Sequence, residues 1–167
     1  MGYWFNHVIP GEGCATLSAA FAANGGTMNL GFITVNLDQA LGLFWAKRTT
    51  IGDGTQANRL CAARKRLAIQ LIAAIANVKL LGTTPGTCAG IPGTLIEDAQ
   101  AAAASCDVNE INRLQGLLDA FNNSGDSAGF PAGLRACRVG PENKAYIDAH
   151  GQVDPTTKAN CQDCNVP

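Results

Sequence analysis

The stretch QANRLCAARKRLAIQLIAAIANVKLL, residues 56–81, decides the fold. Leu60, Leu67, Leu71, Ile75 and Val78 recur at helical spacing and form a spine, and the second half is apolar nearly all round. A helix of about 25 residues with that pattern belongs at the centre of a bundle, because a surface helix keeps a broad polar face. Arg59, Arg64, Lys65 and Arg66 gather in its first half, which reads as the wetter, solvated part. Gly82 is placed to end the helix in a left-handed conformation. The longest apolar run, Leu67 to Val78, is about 12 residues and includes Gln70 and Asn77, short of the ~18 that mark a membrane span.

Shorter helices are expected on both sides. Thr16 or Ser18 caps a helix ending at Ala23, stopped by Asn24-Gly25-Gly26. Gly31 to Val35 reads as an extended lead-in rather than a sheet strand. Asn36 caps a helix from Leu37 to about Arg48, with Leu37, Ala40, Leu41, Phe44 and Trp45 on one buried stripe. Gly52-Asp53-Gly54 marks a turn, and Thr83 to Pro92 is a loop. Thr94 with Glu97 predicts a capping box for a helix running through Ala101–Ala104 to about Cys106. Asp107 or Asn109 caps the next helix, Glu110 to Phe121, which Asn122-Asn123 ends; Glu142 to His150 is a last helical candidate. The expectation is an all-α fold, one compact multi-helix domain over residues 1–167 around a long central helix. It divides into an aromatic and Gly-rich lead-in (1–36), a helical core (37–122) and a loop-rich, disulfide-containing C-terminal tail (123–167).

Composition limits the function classes. The chain is 47% hydrophobic and 15% charged, with net charge -1. Low charge with high hydrophobicity excludes a disordered chain. The balance of 12 basic against 13 acidic residues argues against a nucleic-acid partner, which draws a basic excess. The 7 cysteines, Cys14, Cys61, Cys88, Cys106, Cys137, Cys161 and Cys164, point to disulfides in an oxidising compartment. An odd count leaves at least one thiol over. The opening Met1-Gly2-Tyr3-Trp4 has neither the basic nor the apolar region of a signal peptide.

Three blocks resemble a known family. Gly2-Tyr3-Trp4-Phe5-Asn6-His7 resembles the Gly-Tyr-Trp-Lys-Asn-His opening of a GYWxNH-type domain recurring near the C-termini of secreted and surface-anchored bacterial proteins. Residues 58–60 and 67–77 resemble its central helix, and residues 117–126 its closing helix and turn. Phe5 departs from the family's usual basic residue, and Cys88 and Cys106 are additions. The resemblance implies an extracellular or cell-surface location and a structural or adhesive context, with no catalytic role.

Several clusters are candidate sites. Cys137, His150, Cys161 and Cys164 have ligand types and spacing that suit zinc. In an oxidising compartment the same cysteines pair instead, Cys137 with Cys161 or Cys164, while Cys88 pairs with Cys106 and Cys14 with Cys61. Asp119, Asn122 and Asp126 offer oxygens for calcium but lack the EF-hand pattern, and Asn122-Asn123-Ser124 is the one N-x-S/T glycosylation sequence. Tyr3, Trp4, Asn6 and His7 form either a ligand-stacking aromatic edge or a clasp that locks the N-terminus to the core. Only 2 histidines, His7 and His150, are present to serve a hydrolase, and no serine sits in a Gly-x-Ser-x-Gly elbow. The leading expectation is a non-catalytic extracellular structural module that self-assembles into a fibre or surface layer. Its partners are then copies of itself or other cell-surface components. The alternatives are a secreted metal- or glycan-binding module and a small secreted hydrolase.

Overall fold

Short polar side chains set where the helices begin. In the computed structural model, which describes residues 2–9, 13–124, 131–136 and 140–164, Thr16 Oγ1 accepts from the Ala19 amide to start α2 (Leu17–Ala23). It follows a one-turn α1 (Gly2–Asn6). Asn36 and Gln39 exchange side-chain bonds with each other's amides, a full capping box for α3 (Leu37–Trp45). Asn58 Oδ1 accepts from Cys61 N at 2.8 Å to open the long α4 (Arg59–Leu81), and Gly82 closes it at φ +65°. Asp107 Oδ1 takes the amides of Asn109 and Glu110 at the head of α6 (Val108–Ser124). Between them lies α5 (Leu95–Ala104), and α7 (Pro141–His150) precedes the tail.

Some boundaries differ from the sequence reading, each for a local reason. The helix expected from Gln56 begins at Arg59, because Thr50 and Gln56 form an antiparallel bridge and Ala57 N bonds Thr49 O. Thr94 makes no capping bond; its hydroxyl donates to Asp98 Oδ2 instead. The helix expected to stop at Asn122 continues to Ser124. The supposed lead-in pairs: β2 (Thr34–Val35) lies antiparallel to β1 (Met28–Asn29), with Met28 opposite Val35.

Helix α4 runs through the middle and packs against α2, α3, α5 and α6. Leu67, Ala68, Leu71, Ile72, Ala73 and Ala74 are inaccessible on every side, and one hydrophobic cluster extends from Trp4 to Ile147. Each leucine buried there contributes about 2 kcal/mol relative to exposure. Alanines on α4 and α5 let the helices approach closely. Gly31, at φ +85°, passes so near the Gln100 carbonyl that a Cβ would collide with it. The architecture is all-α around a long central helix, with a single two-stranded ribbon among the described residues. No helix there is long and apolar enough to cross a membrane.

The basic half of α4 is solvated only in part: Arg59 is exposed and Arg66 half-buried, but the two cations between them are buried. Arg64 is 2% exposed and Lys65 is 0% exposed. The reason is the tail, which folds back over them.

Candidate functional site

The N-terminal aromatics act as a clasp. Trp4 is buried, and its Nε1 donates to Asn77 Oδ1 at 2.9 Å. Asn77 Nδ2 donates to Asn122 Oδ1, Asn122 Nδ2 donates to Gln70 Oε1 and O, and Gln70 Nε2 donates to Asp119 Oδ1. This chain carries polar satisfaction from α1 through the core to the surface of α6, so none of its amides is left costly and unpaired. Tyr3 stacks on His7 with ring centroids 3.9 Å apart, and its hydroxyl donates to Ala15 O. His7 O accepts from Leu17 N, and the buried Asn143 side chain accepts from Val8 N and Ile9 N. Asn6 lies exposed at the end of α1.

The same network bears on the calcium candidates. Asn122 Oδ1 accepts from Asn77 inside the protein and Asp119 Oδ1 accepts from Gln70, so both oxygens are engaged in the internal network; Asp126 lies outside the described residues. The glycosylation asparagine, Asn122, is 6% exposed.

The tail carries the largest correction. Cys161 is joined to Cys61 across 100 residues, and Cys164 to Cys106 across 58. The expected pairs Cys88–Cys106 and Cys14–Cys61, and Cys137 with either tail cysteine, are therefore excluded by those partners. Cys14 is itself disulfide-bonded, Cys88 is a free thiol 3.2 Å from Ser124 Oγ, and Cys137 lies outside the described residues. Cys161 and Cys164, each in a disulfide, offer no thiolates to the zinc set with His150, and no metal-competent group of His, Cys, Asp and Glu occurs among the described residues. Two buried cations also hold the tail. Arg64 donates to the carbonyls of Ala103, Ala104 and Ser105 at the end of α5 and to those of Cys161 and Asp163 in the tail. It caps one helix and fixes a strap at once; burial pushes its guanidinium below the ordinary value, and it stays charged. Lys65 Nζ donates to Lys47 O, Thr50 O and Asp154 Oδ2, which uses its three protons. Gly42 and Gly52 leave room for the backbone at 153–156, where a Cβ would collide.

The hydroxyls of Ser105 and Ser124 and the sulfur of Cys106 are similarly engaged. Ser105 Oγ donates to Ala102 O and accepts from Asp107 N, Ser124 Oγ donates to Phe121 O, and Cys106 is in a disulfide.

One polar cluster remains at the surface, where α7 crosses α3. Tyr146 OH donates to Asp38 Oδ1 at 3.2 Å, and His150 Nδ1 lies 3.1 Å from Asp38 Oδ2. Tyr146 and His150, one turn apart on α7, stack with centroids 4.1 Å apart. Partial burial, and then the Asp38 charge, push the Tyr146 phenol up. Beside this cluster stands Trp45, 56% exposed, against Gly151. Sequence reasoning put Trp45 in the core stripe of α3. Eight residues at about 100° each turn it roughly 80° from Leu37, to the edge of the stripe. The signal that finds it is the seven-residue spacing of Asp38 and Trp45, which puts a carboxylate and an indole on one side of the helix. Neither family models, nor curated proteins, nor solved structures give a match to this chain.

Proposed function

We propose that this chain is a non-catalytic extracellular structural domain, in keeping with its resemblance to domains of secreted and surface-anchored bacterial proteins. The observation that carries this reading is the pair of disulfides closing separations of 100 and 58 residues. Cross-links of that span belong to oxidising compartments, where they constrain the unfolded chain most. Supporting it, Arg64, Lys65 and the Trp4–Asp119 hydrogen-bond chain are all engaged in holding elements together, which leaves no buried charge for chemistry among them.

Thiol labelling of protein released from its native source, without reductant, tests the reading. Label should enter at Cys88 and be absent from Cys61, Cys106, Cys161 and Cys164. Label at all four would overturn the extracellular assignment and restore the zinc reading. Assembly of copies into a fibre or surface layer is the second part of the proposal. It predicts that scattering mass rises with concentration and that negative stain shows ordered polymers; a strictly monomeric species removes that part alone.

A further inference from the structure

We infer that the crossing of α3 and α7 is a carbohydrate-binding surface, with Trp45 as its platform and Asp38, Tyr146 and His150 as its polar edge. Trp45 and Val153 are the large apolar side chains left exposed among the described residues, and both sit at this crossing: Trp45 against Gly151, and the Val153 backbone over Gly42. An exposed indole face beside a set of donors and acceptors matches a pyranose, which has an apolar C–H face and a rim of hydroxyls. The polar edge is already ordered. Tyr146 and His150 both meet the Asp38 carboxylate and stack on each other, so little side-chain freedom remains to be lost on binding. They are also reachable, with Asp38 at 51% and His150 at 40% side-chain exposure. Asp38 faces a hydroxyl and an imidazole rather than an unpaired cation, which favours a neutral sugar over an acidic one.

Apolar area argues against a second protein copy as the occupant, since somewhat over half of a stable interface is non-polar. A tryptophan supplies at most about 250 Å², and a valine less, whereas a stable protein interface takes roughly 800 Å² from each partner. One or two sugar rings fit that footprint.

Calorimetric titration with cellohexaose, chitohexaose and mannohexaose tests the inference, with indole emission as a second readout for the intact protein. Trp4, buried and bonded to Asn77, remains as an internal reporter of folding. At least one hexaose should bind saturably, with Kd at or below about 1 mM. Trp45→Ala should weaken that binding at least tenfold and His150→Ala severalfold, with thermal stability and Trp4 emission unchanged. Absence of binding by all three sugars, or binding that survives Trp45→Ala, would overturn it. So would a concentration-dependent dimer abolished by Trp45→Ala, which would give the surface to a second copy. None of these results bears on the thiol labelling, so the inference and the structural reading fail separately.

Discussion

From Leu67 to Ala76, Gln70 apart, α4 is shut away from solvent by leucine, isoleucine and alanine packed against α2, α5 and α6. One turn earlier, Arg64 and Lys65 are as inaccessible, but what surrounds them is backbone carbonyl, a carboxylate and two disulfides. The apolar half gains from burying any side chain of suitable shape, since the hydrophobic term has no direction. The charged half gains only if every donor meets its acceptor, because an unpaired buried charge is costly. Packing therefore supplies most of the stability in the first region, and donor geometry fixes where the tail lies in the second. Helix α7 instead packs on α3, which brings Tyr146 and His150 to Asp38.

The covalent link between the tail and α4 carries the largest expected effect. Replacing Cys61 and Cys161 together by alanine should cost about 4–5 kcal/mol, the loop-closure entropy of a crosslink spanning 100 residues. The midpoint of urea unfolding measures it. Next is Asp154→Ala, which leaves the Lys65 ammonium buried without its counter-charge and should cost about 3–5 kcal/mol. Adding Lys65→Met should recover much of that loss, since an apolar pair needs no partner. Additive losses in a double-mutant cycle would mean the two groups do not interact. In the apolar half, Leu71→Ala should cost roughly 2–5 kcal/mol with no rescue by a neighbouring substitution. A loss below about 1 kcal/mol would show that α4 is peripheral, well under what a core leucine costs.

The smallest effect lies at the surface. Hydrogen bonds from Arg113 hold the Glu110 carboxyl below the usual carboxylate range, and the Thr55 amide does the same for Asp53. A depressed folded-state value stabilises the protein above the unfolded value of about 4 and loses that contribution as pH falls through the folded one. Glu110→Gln should lower stability slightly near pH 7, leave it little changed at low pH and so flatten the acid limb of the stability–pH curve, as chemical denaturation at stepped pH will report.

What the sequence disclosed tracks the same division. The apolar half of α4 was legible because periodicity and buried area are local properties of the chain; Leu71 and Gly82 stand where the pattern puts them. The caps at Thr16, Asn36 and Asp107 were legible for the same reason. Arg64 and Lys65 were misread as solvated, since their partners lie far along the chain at Ala103, Asp154 and Cys161, and nothing local announces them. Disulfide pairing failed likewise, because spacing limits which cysteines can meet without saying which do. The surface cluster is not legible as one: by sequence His150 suits a metal and Trp45 the core stripe, and only the crossing of α3 and α7 unites them with Asp38.

Through Cys161, Arg64 and Lys65 the tail is an integral part of the core rather than an appendage tethered to it. Native-state hydrogen exchange with the disulfides intact tests it most directly. The Gly52 amide, bonded to Thr156 O, and the Cys161 and Asp163 amides, bonded to Thr157 O and Lys158 O, should exchange with the same opening free energy as amides around Leu71 in α4. Exchange of those three amides at nearly unprotected rates, while α4 stays protected, would contradict it.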